Sequence, residues 1–168
     1  MIAIDKLLKE YAFAQKYKLS LLENGKYCID IAMKLKDGSF RYQFVWVWEV
    51  KGRGKGKDCV YLTSRVGSYS SSIDLYQLVK EAGYGIYTTV TVVGDKDKAG
   101  KPCESIVVQA SPVLEFLSKE AFLFILWEVA EVADILEEKH FGKDQHYSSR
   151  IYYINLLHMP FFIKLNVL

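Results

Sequence analysis

Apolar side chains recur with a helical period at the start of the chain. Ile4, Leu7, Leu8, Tyr11 and Ala14 share one face, and Lys6, Lys9, Glu10 and Lys16 occupy the other. This spacing predicts an amphipathic helix over residues 2–18. After Asn24-Gly25 the period falls to two: Tyr27, Ile29, Ile31, Met33 and Leu35 alternate with Lys26, Cys28, Asp30, Ala32, Lys34 and Lys36, the mark of a strand with one wet face. Asp37-Gly38 is a hairpin signal, because this dipeptide tolerates the positive φ values of a type I′ turn. A second strand then runs from Phe40 to about Lys51. Its even positions, Phe40, Tyr42, Phe44, Trp46, Trp48 and Val50, are almost wholly aromatic, whereas the odd ones include Arg41, Gln43 and Glu49. Binary patterning therefore predicts that the aromatic side is the dry face of the sheet, packed beneath helices.

The glycine-rich KGRGKGK stretch at 51–57 is expected to be a mobile tip, and residues 58–66 return as a third strand rich in β-branched and aromatic residues. Ser71 and Asp74 fit a capping box for a short helix that carries Leu75, Leu78, Val79 and Ala82 on one side and ends at Gly83. Residues 84–93 read as a fourth strand, GDKDKAGKP as an exposed hairpin loop and 104–110 as a fifth strand. Ser118 is placed to cap a long helix over 119–139, stopped by Gly142. Its main stripe is Phe122, Ile125, Val129, Val132 and Leu136. Leu123, Phe124, Leu126 and Trp127 make its first half apolar on nearly every side, which implies a second buried contact. The fold class expected is α+β, a five-stranded antiparallel meander flanked by helices in the order αβββαββα. Residues 1–142 form the domain. Residues 143–168 are polar up to Arg150 and then densely apolar, an extension expected to pack on the domain or on a dimer mate.

Composition narrows the picture. A chain of 168 residues with 51% hydrophobic and 25% charged residues suits one ordinary globular domain. A net charge of +2 provides no global field for nucleic acid or an anionic membrane. Three widely spaced cysteines, Cys28, Cys59 and Cys103, suggest reduced thiols and a cytoplasmic setting. No apolar stretch reaches the length of a membrane span, and charges interrupt the N-terminal segment where a signal peptide would need an apolar core.

No constellation of reactive groups emerges. The span from Gly52 to Lys57 is one residue short of a phosphate-binding loop, Asp58 stands where such a loop needs Ser or Thr, and the stretch joins two strands instead of opening a helix. His140, His146 and His158, with Asp144, lack metal-ligand spacing, and His140 is expected to meet the free carbonyls of a helix end. No serine lies in a nucleophile elbow, no cysteine has an activating neighbour, and Asp134 and Glu138, one helical turn apart, are expected to be solvated. The sequence thus gives no reason to expect an enzyme, a cofactor or a metal.

The stretch SIDLYQLVKEAGY resembles the short helix before strand four of the YbjN-like family. SIVVQASPVLEFLSKEAFLFILWEVAEVADILEEKHFG is similar to that family's last strand and closing helix, including the Val-Ala-Asp near the helix end. The element order over 2–142 also resembles the wider type III secretion chaperone-like fold. This resemblance implies a small, often dimeric protein that binds other polypeptides. The chain departs from the secretion chaperones in being slightly basic, and the segment from Lys143 onward has no counterpart in the family.

These readings together lead us to expect a protein-binding domain that uses Phe122, Leu123, Phe124, Leu126 and Trp127, with a homodimer from mutual burial of that patch. The rival class is single-stranded nucleic-acid binding, in which Tyr42, Phe44, Trp46 and Trp48 stack bases and Arg53, Lys55 and Lys57 meet the backbone.

Overall fold

The computed structural model of the protein describes residues 3–34, 38–97 and 99–142. Helix α1 (Ile4–Gln15) is followed by strands β1 (Lys18–Leu21), β2 (Tyr27–Lys34), β3 (Phe40–Gly54) and β4 (Lys57–Ser68). Then come α2 (Leu75–Ala82), β5 (Thr89–Lys96), β6 (Pro102–Ala110), a single 3-10 turn at Leu114–Phe116 and the long helix α3 (Lys119–Phe141). All strand pairs are antiparallel, in the order β1-β2-β3-β4-β6-β5.

The α+β class agrees with the sequence pattern, but the sheet has six strands, not five. The additional one, β1, is a four-residue edge strand, too short to display a period of two. It exists because α1 stops at Lys16, which adopts a left-handed conformation with φ 58° and turns the chain to run beside β2. The meander holds through β4 and then breaks, because β6 pairs with β4 and leaves β5 on the edge. The 51–57 stretch is not a loop throughout. The ladder continues past an irregularity to Gly54↔Lys57, and Lys55 and Gly56 form the turn with φ values of 55° and 85°, the positive pair a type I′ turn requires. The Asp37-Gly38 hairpin lies partly outside the described residues, yet β2 and β3 do pair in antiparallel register with Lys34 opposite Phe40.

Helix ends follow the capping chemistry with one correction. Ser118 accepts the Ala121 N–H at 3.1 Å and Gly142 ends α3 in a left-handed conformation, as the sequence suggests. Asp74, not Ser71, caps α2, accepting the Gln77 N–H at 3.0 Å.

The main departure is the side of the sheet that is dry. Ile29, Ile31 and Met33 of β2, Val45 and Val47 of β3, Val60, Leu62 and Val66 of β4, and Ile106, Val108 and Ala110 of β6 form one buried surface. They share a core with Leu7 and Leu8 of α1, Leu78 of α2 and the expected stripe of α3, Phe122, Ile125, Val129, Val132 and Leu136. The odd positions of β3 therefore face the helices. Its aromatic positions point the other way, so the expectation that Tyr42, Phe44, Trp46 and Trp48 form the core is corrected. The middle of α3 contributes the small residues Ala130 and Ala133 to the same core.

The polar members of the inner face are buried because α3 supplies partners. Arg41 donates to Asp134 at 2.6 Å and to Glu138 at 3.0 Å, so neither carboxylate is merely solvated. Gln43 donates to Glu137 at 2.5 Å and accepts from the Ser64 hydroxyl at 3.0 Å. Gln43, Ser64 and Glu137 are each almost fully buried. Removing one partner strands the others in a low-dielectric interior. Gln43→Leu is accordingly expected to cost about 1–3 kcal/mol of stability, measured as a lowered urea midpoint, and adding Glu137→Leu is expected to recover part of that loss.

Candidate interaction surfaces

The outward face of β3 carries a short column of stacked groups. Lys26 Nζ lies 4.0 Å from the centre of the Trp48 ring, Trp48 stacks on Tyr61 with ring centres 5.1 Å apart, and the Arg53 guanidinium lies 4.7 Å from the Tyr61 ring. Lys26 precedes β2 and Tyr61 lies on β4, on either side of β3, so both faces of Trp48 are engaged. The column comes from cross-strand pairing, with Trp48 directly opposite Tyr61. Phe44 and Trp46 form a looser tilted pair at 6.3 Å. Among the described residues no helix packs on this face.

The basic residues nearby are partly matched. Lys51 bonds to Asp58 at 2.9 Å, and the Asp58 carboxyl is held below its usual range, first by that hydrogen bond and then by the Gly52 N–H. Lys57 pairs with Glu115 and lies over the Phe116 ring. Lys55 is exposed at the turn. Of the three cations nominated for a nucleic-acid backbone, Arg53 is therefore folded onto an aromatic ring, Lys57 is ion-paired and Lys55 stands in solvent.

On the helix side, the structure places Phe122 and Leu126 wholly in the core, and Leu123 and Trp127 half-buried against it. The second contact implied by the apolar start of α3 thus lies within the domain. Phe124 is the exception, at 49% exposed. It meets Tyr87 edge to face at 6.0 Å. Tyr87 belongs to the 84–87 loop, whose Tyr84, Ile86 and Tyr87 are all exposed, Ile86 at 73%. The loop backbone is fixed by the buried Glu128, whose Oε1 accepts the N–H groups of Tyr87 and Thr88 at 2.9 and 3.1 Å and the Thr88 hydroxyl at 3.0 Å. Its Oε2 is buried without a hydrogen-bond partner. Gly85 is required beneath this clamp, since a Cβ there would stand 2.1 Å from Thr88 Oγ1. The Tyr84 phenol is pushed up to about 12, first by desolvation and then by the carboxylates of Glu131, Glu128 and Asp134.

Sequence reasoning had assigned the 84–87 loop to a strand. The available signal was the crowding of Tyr84, Ile86 and Tyr87 around Gly85, with Thr88 following, which is poor in strand alternation and rich in exposed apolar groups.

His140 reaches across to α2, with Nε2 3.0 Å from Glu81 Oε2, instead of meeting the helix-end carbonyls. His146, His158 and Asp144 lie outside the described residues. Among the described residues no three His, Cys, Asp or Glu side chains come together as metal ligands, and no helix is long and apolar enough to cross a membrane.

The overall arrangement is that of a small α+β domain with helices on one side of an antiparallel sheet. It is similar to the crystal structure of YbjN from E. coli, described as a "putative transcription regulator", with a TM-score of 0.50, 9% sequence identity, and coverage of 89% of this chain and 94% of that one. At that identity the likeness concerns the fold. No protein-family model matches the chain, and no curated protein matches it.

The cysteines offer a check on the sheet's outer face. Cys28 pairs across from Trp46, and burial, followed by the charge of Asp30, pushes its thiol up to about 12. Only the thiolate is nucleophilic. Peptide mapping after maleimide treatment at pH 8 is therefore expected to find Cys28 unmodified until the chain is unfolded, and Cys103, half-exposed on β6, modified first.

Proposed function

We propose that this chain is a non-enzymatic regulatory domain that acts by binding a polypeptide partner through Tyr84, Ile86, Tyr87 and Phe124. The observation that carries this reading is the Glu128 clamp. Exposed apolar side chains are ordinary when scattered, but here several converge on a loop tied to one buried carboxylate by two backbone N–H groups and the Thr88 hydroxyl. A surface fixed in advance loses little conformational freedom on binding, which favours a specific interface. The fold likeness to a candidate regulator is compatible with such a role. Phe124 is also the member of the nominated helix patch that remains available. A second copy of the chain is one partner that would fit, as the expected homodimer requires, and three unbonded cysteines suit a reducing cytoplasm.

Single-stranded nucleic-acid binding is the weaker reading. Bases stack on free ring faces, whereas both faces of Trp48 are engaged and Lys57 is ion-paired.

A photo-crosslinking residue at position 86 of the full chain is expected to capture a polypeptide in the native cell, and Phe124→Asp is expected to abolish the adduct. Light scattering then decides whether the captured chain is a second copy. Thr88→Val, which loosens the loop without removing apolar area, is expected to weaken binding less than Phe124→Ala, which should cost about 2 kcal/mol or more if Phe124 is an anchor. A folded protein that gives no adduct at position 86 overturns the reading, and so does salt-sensitive quenching of Trp46 and Trp48 by an oligonucleotide.

A further inference from the structure

Resting on the partner surface proposed above, we infer that the polypeptide segment it takes is basic: a lysine or arginine of the partner seats between the Tyr84 ring and the Glu131 carboxylate, while an apolar side chain further along meets Phe124, Ile86 and Tyr87. Helix α3 sets out both halves of this site. Phe124, Glu128 and Glu131 are spaced four and three residues apart and share one face of the helix. The chain that leaves α2 runs beside that face in the opposite sense. Glu81 meets Lys139 and His140, the Tyr87 and Thr88 N–H groups meet Glu128, and the Tyr87 ring meets Phe124. Tyr84 therefore lies on the Glu131 side of the clamp, and Tyr87 on the Phe124 side.

The Glu131 end carries negative charge that nothing in the domain matches. Glu131 is exposed and has no hydrogen bond or ion pair among the described residues. Glu128 is only 6% exposed; its Oε1 accepts three hydrogen bonds, all from neutral groups, and its Oε2 is buried without a hydrogen-bond partner. A buried carboxylate with no cation beside it is held at a cost that a cationic partner reduces. Asp134, the next acid along the helix, differs in bonding to Arg41. Desolvation and then the carboxylates of Glu131, Glu128 and Asp134 raise the Tyr84 phenol, and no cation figures among these causes. Lys80, the cation nearest in sequence, shares the outward face of α2 with the exposed Tyr76, one turn away.

Elsewhere the molecule covers exposed rings with its own cations: Lys26 on Trp48, Arg53 on Tyr61 and Lys57 on Phe116. Tyr84 is half-exposed and has no ring or cation contact of this kind among the described residues. A free ring beside an unpaired carboxylate attracts a cation twice, through the quadrupole of the ring and through the charge of the acid. From Phe124 to Glu131 is about 10 Å along the helix axis, the reach of roughly three residues of extended chain. A segment bound in extended form therefore matches the site when its basic residue stands three positions from a leucine, isoleucine or phenylalanine.

The test selects a random peptide library against the full chain. Enriched peptides are expected to carry Lys or Arg three positions from Leu, Ile or Phe. Fluorescence anisotropy of one such labelled peptide then reads its affinity. Glu131→Gln is expected to weaken binding about two- to fivefold, the usual contribution of one exposed charge pair, and Glu131→Lys about tenfold or more, because a like charge then faces the basic residue. Glu128→Gln keeps a carbonyl oxygen for the clamp while removing the charge and is expected to act like Glu131→Gln. Glu131 is exposed, so its variants keep the fold, which circular dichroism checks. Enrichment of acidic or uncharged peptides, affinity unmoved by Glu131→Lys, or no enrichment at all overturns the inference. Peptides that need Phe124 but not Glu131 remove the basic preference and leave the partner surface standing, whereas the absence of any adduct at position 86 removes both.

Discussion

The register between β3 and α3 decides everything else about this molecule. Side chains on a strand alternate strictly, so covering one face of β3 leaves the other uncovered, and a slip by one residue would exchange the two sets. Val45 and Val47 supply the apolar contact beneath the helix, but aliphatic packing alone tolerates displacement. The polar contacts do not. Arg41 with Asp134 and Glu138, and Gln43 with Glu137 and Ser64, each match a particular donor to a particular acceptor across the helix–sheet interface. A register shift would bury these groups without partners, at a cost well above that of repacking a few methyl groups. Buried polar pairs here serve as a locking device, and the aromatic face points outward as a consequence.

That lock also shows where the sequence was legible and where it was not. The helical stripe of α3, the inward set Ile29, Ile31 and Met33 of β2, the Ser118 cap and the Gly142 stop all depend on local chemistry, and each is found where the local signal places it, although Asp30 on the expected wet face of β2 is buried. The face of β3 was misread because Arg41, Gln43 and Glu49 made its odd side look solvated. Polarity at a strand position reports exposure only when no partner is available, and the partners for Arg41 and Gln43 lie more than 90 residues away on α3. Strand β1 was missed for the opposite reason, since four residues give too little alternation to detect. Of the nominated helix patch, Phe122 and Leu126 were apolar because they are core, and single-helix periodicity cannot distinguish a second packed element from an outside partner. The Glu128 clamp joins residues 40 positions apart and left no local trace.

The two exposed apolar regions differ in construction, and the difference bears on what each can do. Around Phe124 and Ile86 the side chains project from a loop whose backbone is tied to a buried carboxylate, so they stand clear of the surface and can enter a pocket on another molecule. Along β3 the rings pack against one another, Phe44 on Trp46 within the strand and Trp48 on Tyr61 of β4, and those from Tyr42 to Trp48 are only half-exposed.

The cations on the ladder sharpen this further. A lysine or arginine lying over an aromatic ring covers it with its apolar stem while the charged end stays hydrated. Lys26 and Arg53 do this at Trp48 and Tyr61, so that end of the face presents charge outward and resists a purely apolar cover.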